Sequence, residues 1–290
     1  MKYLILGKSG YIANAFIREV EKRGMDYIAL SRSDIDYTNF KEFKAYLEIN
    51  FIKFGKIKII NCAGYVGKPN VDACELNKSE TILGNIIFPS MLSNLCINKG
   101  IELIHVSSGC IYDGTNNGLG FSEDDAPNFS FDQNNCSFYS GSKAVCEEVL
   151  KSNPWCYIFR LRVPFDNIDS PRNYISKCLN YETLFNIENS ITHRFDYAKY
   201  CLDLMNIKAP YGIYNICNKG SITTEFVVDL IKKYLKPNKS FKFFENEEAF
   251  SGVISTPRSS CTMNTSKLES FIDVRSSEDA IIECLKEWKQ

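Results

Sequence analysis

Five short apolar runs punctuate the first half of the chain: Tyr3 to Leu6, Tyr27 to Leu30, Ile57 to Ile60, Ile101 to Val106 and Cys156 to Leu161. Each is nearly continuous rather than alternating, the pattern of strands buried on both faces of a parallel sheet. Between them, apolar positions recur at helical spacing over Tyr11 to Lys22, Phe40 to Ile52, Glu80 to Asn98 and Ser137 to Leu150. Strand and helix alternating in that order predict an α/β fold, a doubly wound parallel sheet with helices on both faces. Past Pro164 the pattern breaks into shorter elements separated by Pro171, Pro210, Pro237 and Pro257. The expected organisation is a sheet domain over residues 1–163 and a smaller region over 164–290, which returns a strand near Ile213 to Ile216 to the main sheet.

Composition narrows the classes of function. With 290 residues, 44% hydrophobic and 24% charged, the chain can bury a large core and is not disordered. No apolar run reaches the roughly 18 residues of a membrane helix, and the apolar start is strand-length with no cleavage pattern behind it. Twelve cysteines without a Cys-x-x-Cys unit read as reduced thiols, so a cytoplasmic protein is expected. His105 and His193 are the sole imidazoles, too few for a zinc site or a Ser-His-Asp hydrolase, and no metal is expected. A net charge of -1 argues against nucleic acid as a partner. It leaves room for a pocket that takes a small anionic ligand.

The first strand runs into Gly7-Lys8-Ser9-Gly10-Tyr11-Ile12-Ala13, with small residues at the three spaced positions of a dinucleotide-binding turn. Such a turn lets backbone amides approach a pyrophosphate on the positive end of the following helix. A glycine turn after a strand is also common for purely structural reasons. Asn61-Cys62-Ala63-Gly64, closing the third strand, supplies the small residues that would flank the cofactor from the other side. The second strand ends in Ser31-Arg32-Ser33, where an NAD site places an acid for the ribose 2′-hydroxyl. Arginine suits a 2′-phosphate, so NADPH is expected, with NADH the alternative because Asp34 and Asp36 follow.

After the fourth strand comes Ser107-Ser108-Gly109-Cys110, and the next helix carries Tyr139-Ser140-Gly141-Ser142-Lys143. A tyrosine and a lysine four apart share a helix face, where the ammonium can lower the phenol pKa and hold a nicotinamide ribose. Tyr37 and Lys41 repeat that spacing, but they do not follow the fourth strand and are taken as incidental.

With the glycine turn, Ser108, Tyr139 and Lys143 in these places, the chain resembles the extended short-chain dehydrogenase/reductase family, which has a Rossmann fold. Within it, the sequence is similar to nucleotide-sugar 4-reductases of the dTDP-4-dehydrorhamnose reductase group. Gly67-Lys68-Pro69-Asn70-Val71-Asp72-Ala73-Cys74-Glu75, Gly109-Cys110-Ile111, Pro127-Asn128-Phe129, Ser170-Pro171-Arg172-Asn173-Tyr174 and Thr256-Pro257-Arg258-Ser259 resemble the plant-type bifunctional 3,5-epimerase/4-reductases that make UDP-L-rhamnose. Two departures keep the chemistry: Ser108 stands where relatives often carry threonine, and Ala13 fills the third glycine-turn position.

The resemblance implies that residues 1–163 bind NADP and that 164–290 mainly hold the substrate. It also implies a UDP-4-keto-6-deoxyhexose substrate, a homodimer, and roles for Ser108, Tyr139 and Lys143 in reduction and for Cys110 and Lys177 in epimerisation. On residue type alone, Cys110 could equally be a buried structural thiol and Lys177 a solvent lysine. Arg258 and Arg172 are candidates for the diphosphate, since guanidinium forks match phosphate geometry. Lys68, Asn70 and Asn173 are candidate sugar or base contacts, although asparagines in turns often serve the backbone. Two other readings remain: a plain 4-reductase that relies on a separate epimerase, and a non-catalytic regulatory subunit of the same fold. The intact Ser108, Tyr139 and Lys143 set argues against the second.

Overall fold

The computed structural model describes residues 2–50 and 57–289. Six parallel strands form the central sheet among these residues: β1 (Lys2–Leu6), β2 (Tyr27–Leu30), β3 (Ile57–Asn61), β4 (Glu102–Ser108), β5 (Cys156–Leu161) and β6 (Gly212–Asn215). Their spatial order is β2-β1-β3-β4-β5-β6. The chain therefore winds outward from β1 in both directions, and a crevice opens where β1 meets β3, the switch point at which such sheets bind ligands. Leu6 of β1 lies in register with Leu30 of β2 and with Asn61 of β3, which brings the turns after these strands together.

Each strand is apolar on both faces because helices cover both. Ile5, Ile60, Ile104, Phe159 and Tyr214 face α1 (Tyr11–Lys22). Leu4, Leu6, Ile59, Leu103, Ile158 and Ile213 face Phe43 and Leu47 of α2 (Phe40–Asn50), and the helices that follow it. Residues 51 and 52, the expected end of that helix, lie outside the described residues. Burial of each such side chain contributes about 1.5–3 kcal/mol, which fixes the sheet as a rigid platform.

A single turn, α3 (Ala73–Leu76), precedes the long α4 (Lys78–Lys99), which carries a π-helical turn at Leu83–Ile87. By length and mean hydropathy α4 is long and apolar enough to cross a membrane, although its apolar residues do not form one unbroken run. Its Phe88, Leu92, Leu95 and Cys96 are buried against the sheet, so the hydropathy is that of a core helix. Next to it lies α5 (Phe138–Leu150).

The second half forms its own cluster around Phe165, Ile175, Ile191, Val227, Ile231 and Ile281, built on α6 (Tyr174–Asn180), α8 (Thr224–Tyr234) and α9 (Ser277–Lys286). It gives more than the expected strand back to the sheet. Between α6 and α8 runs α7 (Arg194–Asn206), whose Tyr197, Cys201 and Leu204 pack with Phe16 of α1 over the sheet. Arg194 stacks on Tyr11 and donates to its carbonyl, sewing the two halves together beside the glycine turn.

Candidate active site

At the switch point Gly7 adopts φ +86°, and a Cβ on it would sit 3.0 Å from the Ala63 backbone nitrogen. Glycine is required there by conformation and by the close approach of the β3 end. Gly10 then begins α1, and among the described residues no side chain caps this helix and no acid occupies its first turn. The amides of Ile12 and Ala13 and the positive helix end are thus left to an anion, which is the donor set a dinucleotide pyrophosphate needs. Ser9 and Gly64 are exposed at the rim, and Cys62 and Ala63 line the β3 side. The Tyr11 side chain turns away: its hydroxyl donates to Asp166 at 3.0 Å, so only its backbone faces the turn.

The loop after β2 is braced by Asp34. One carboxylate oxygen accepts from Lys8 of the glycine turn at 2.8 Å, and the other accepts from the Ser31 amide and hydroxyl. These bonds, Lys8 first, hold the Asp34 carboxyl well below the usual carboxylate range. Both oxygens are therefore committed to the protein, while Arg32 stands exposed between Ser31 and Ser33.

At the end of β4, Ser108 caps a turn of 3-10 helix, Gly109–Ile111, and its Oγ accepts from the Cys110 amide at 3.2 Å. The hydroxyl proton stays available for donation. Cys110 is buried in a small cluster with Ile111, Cys217, Cys261 and Met263, and Tyr139 of α5 packs against that cluster. Burial pushes the Tyr139 phenol up, with Cys110 and Cys74 adding to the effect. The opposing positive charges are those of Arg172 and Arg162. Lys143, one turn on from Tyr139, is buried, and its ammonium donates to the Val106 carbonyl at 3.0 Å. Tyr37, the incidental pair member, lies in the core against Phe88.

A basic corner faces this cluster from the second half. Lys177 of α6 is half-buried, and burial, then Arg172 and Arg258, lower its pKa. It is not a solvent lysine. Arg172 donates to the Gly67 carbonyl at 3.0 Å, and Arg258 pairs with Asp72 at 2.7 Å. The Nη1 of Arg258 and the Oδ1 of Asp72 are both buried without a hydrogen-bond partner among the described residues, so the two charges sit in contact and Nη1 keeps a free donor, which an anion could take. Lys68 and Asn70 are exposed on the neighbouring loop, and Asn70 spends its carbonyl oxygen on the Asp72 amide. Asn173 is not a ligand contact. It is fully buried, caps α6 through the Ile175 amide, and donates to Asp166 and the Ile168 carbonyl, so its amide is consumed in holding the loop.

Two residues of this site escaped the sequence reading. Asn85, in the π-helical turn of α4, accepts from the Tyr65 amide and donates to the Tyr65 carbonyl and to Ser142 Oγ. It ties the β3 loop to α5. The Gly84-Asn85 pair inside an apolar helix was its one signal, since such π turns concentrate at functional sites. Arg162, at the end of β5, grips Asn189 and the Ser259 carbonyl next to Arg258. Nothing in local sequence distinguishes it from an ordinary strand-end arginine.

A glycine turn at a switch point, with a serine at the end of β4 and a Tyr-Lys pair on the next helix, defines a nucleotide-dependent reductase of the short-chain class. The chain matches the family described as RmlD substrate binding domain over residues 1–290, and it belongs to that family. A bifunctional dTDP-4-dehydrorhamnose 3,5-epimerase/dTDP-4-dehydrorhamnose reductase of Arabidopsis thaliana is 32% identical over 287 residues, 97% of this chain and 91% of that protein. A trifunctional dehydratase/epimerase/reductase of the same plant is 31% identical over 97% of this chain, which spans 41% of that protein's length. Among solved structures, the UDP-rhamnose synthase from Acanthamoeba polyphaga mimivirus superposes with a TM-score of 0.89 at 25% identity, covering 99% of both chains. The dTDP-4-dehydrorhamnose reductase from Bacillus anthracis, solved in complex with NADP, has a TM-score of 0.77 at 18% identity over 99% of this chain and 96% of that one, a likeness of fold.

Proposed function

We propose that the chain is an NADPH-dependent nucleotide-sugar 4-keto reductase that also epimerises C3 and C5, converting UDP-4-keto-6-deoxy-D-glucose to UDP-L-rhamnose. The observation that carries this reading is the packing of Tyr139 against the Cys110 cluster at the end of β4, together with Arg172, whose charge acts on both the Tyr139 phenol and the half-buried Lys177. A plain reductase needs the phenol and has no use for a thiol and an amine of lowered basicity in the same site.

The C4 ketone acidifies the protons at C3 and C5, because the enolate left by removing either one is conjugated with it. Inversion needs a base on one face and an acid on the other. Lys177, with its lowered pKa, removes the proton as a neutral amine, and the Cys110 thiol returns one from the opposite face. Bound NADPH supplies the hydride for C4. Tyr139 donates its phenolic proton to the C4 oxygen, while the Ser108 hydroxyl stabilises charge that develops there only in the transition state. Lys143 and the Asn61 to Gly64 loop position the cofactor, and Arg258 and Arg172 hold the diphosphate.

In deuterated water the protein should wash deuterium into C3 and C5 of the 4-keto sugar without NADPH, since enolate formation needs no hydride. Lys177→Ala should lose that exchange, Cys110→Ala should lose inversion at C3 or C5, and both should keep reduction of a pre-epimerised ketone. Absence of exchange in the wild type leaves the plain 4-reductase. A homodimer belongs to the same proposal: Ile82 and Ile87 of α4 and Val145 and Val149 of the adjoining α5 are exposed, a patch suited to a second copy. Light scattering of wild type against Val145→Lys tests it.

A further inference from the structure

Asp72 and Glu75 belong to a sequence string that resembles the family, yet the functional reading above gives neither a role. They lie three residues apart, at the start and inside the single turn α3, and so share one face of it. Each carboxylate reaches a different part of the site. Asp72 pairs with Arg258 at 2.7 Å, and Glu75 Oε1 accepts the Phe138 amide at 2.6 Å. Phe138 is the first residue of α5, and the next residue is Tyr139.

The anchoring is polar rather than hydrophobic. Among residues 67–76 only Gly67 and Cys74 are buried, and Leu76 is 88% exposed. Gly67, at φ +70°, has no room for a Cβ, which would fall 2.1 Å from the Asn70 oxygen. Its carbonyl takes the Arg172 guanidinium at 3.0 Å. The segment is thus held at its start by Arg172, in the middle by Arg258, and near its end by the catalytic helix. At that helix the Glu75 contact is charge-assisted and lies at the positive helix end, where a carboxylate is favoured. Ser137 Oγ satisfies the Ser140 amide separately, so Glu75 duplicates no existing cap.

We propose that residues 67–76 form a strap that sets the distance between the diphosphate-holding arginines and the Tyr139 phenol, with Asp72 and Glu75 as positioning residues. The proposal rests on the functional reading above. A nucleotide sugar gripped at its diphosphate reaches the phenol with its C4 oxygen only if these two points are correctly spaced, and a displacement of about 1 Å costs on the order of 100-fold in rate. Glu75 governs where the phenol stands. Asp72 holds Arg258 through the ion pair and leaves Nη1 free for the diphosphate.

The test uses the full chain, with steady-state reduction of the 4-keto nucleotide sugar by NADPH, calorimetric binding of UDP, and thermal melting as a control for folding. Glu75→Ala should lower kcat by on the order of tenfold and change the UDP Kd by less than about twofold. Glu75→Gln keeps an acceptor for the Phe138 amide and should restore most of kcat. Asp72→Asn should raise KM and the UDP Kd together by about fivefold or more, with kcat nearly unchanged. If Glu75→Ala does not fold, Glu75→Gln and Asp72→Asn carry the test. Parallel losses in kcat and KM for Glu75→Ala, a Glu75→Gln as damaged as Glu75→Ala, or unchanged UDP binding in Asp72→Asn would each overturn the strap while the functional reading stands. A wild type that neither binds UDP nor reduces the ketone removes that reading and the strap with it.

Discussion

Arg160 of β5 and Glu147 of α5 form an ion pair inside the molecule, with side chains only 1% and 2% exposed. The guanidinium reaches both carboxylate oxygens, Ser107 donates to Glu147 at 2.6 Å, and Arg160 donates to the Tyr112 hydroxyl at 3.0 Å. Ser107 precedes Ser108, Tyr112 lies two residues beyond Cys110, and Glu147 sits one turn past Lys143. The pair therefore ties together the three segments that carry the proposed chemistry. Glu147→Ala strands a buried guanidinium and should cost about 3–5 kcal/mol in urea unfolding, whereas Glu147→Leu with Arg160→Met should recover much of that loss. A double variant as unstable as the single one would contradict this account.

Arg32 should decide the choice of cofactor, since Asp34 has both oxygens bound to Lys8 and Ser31 and neither is left for a ribose hydroxyl. A charge-assisted contact to a 2′-phosphate contributes about 1.5–3 kcal/mol, so Arg32→Ala should weaken NADPH by roughly tenfold or more and barely affect NADH. Equal losses for both cofactors in fluorescence titrations would remove Arg32 from the site.

Tyr139→Phe keeps the ring that packs against the Cys110 cluster and deletes the proton donor. Reduction should fall by about 10²–10⁴-fold, with NADPH affinity unchanged. Deuterium exchange at C3 and C5 should persist, because it uses Lys177. Loss of exchange together with reduction would place the phenol in both steps.

The sheet was legible because each buried strand is a continuous apolar run and each helix has a regular period, and Tyr27–Leu30 and Cys156–Leu161 coincide with their runs. The glycine turn, Ser108 and Tyr139 were legible because they follow strand ends, and local order fixes their position. What sequence could not show was long-range pairing. Asn85 looks like any helix asparagine until Tyr65 and Ser142 surround its amide. Lys143 and Tyr139 share a helix face, but the ammonium is drawn to the Val106 carbonyl, and Arg172 and Arg162 are cations that act on the phenol. Such contacts join residues tens of positions apart, and no periodicity encodes them.

His105 should make stability fall in acid. It is buried between Asn61, whose amide lies 3.1 Å from Nδ1, and the Cys146 sulfur, 3.6 Å from Nε2. Burial first, and then the Lys143 charge, lower its pKa well below the usual histidine value. In the unfolded chain it takes up a proton near pH 6.5, while the native state does not. The unfolded state therefore binds more protons below that pH, and this group contributes a loss of about 1.4 kcal/mol per pH unit until the native pKa is reached. The slope of unfolding free energy against pH below about 6.5 should be shallower in His105→Gln than in wild type by roughly that amount. Identical slopes would mean that His105 does not carry the effect.

Lys177 gives the sharpest pH signature. If the neutral amine removes the sugar proton, exchange rises with pH through the Lys177 pKa and levels off above it. Burial and the nearby Arg172 and Arg258 charges place that pKa below the ordinary lysine range, so the inflection should fall below about 10.4. Arg258→Ala removes one of the cations that oppose protonation, and the ammonium becomes easier to form. The inflection must then move to higher pH, and exchange at a fixed pH below it must drop even with substrate at saturation. Lys177→Arg, which cannot shed its proton, should abolish the pH-dependent component. An inflection that moves downward in Arg258→Ala, or a wild-type profile with no inflection below the ordinary lysine range, would assign the base to another group.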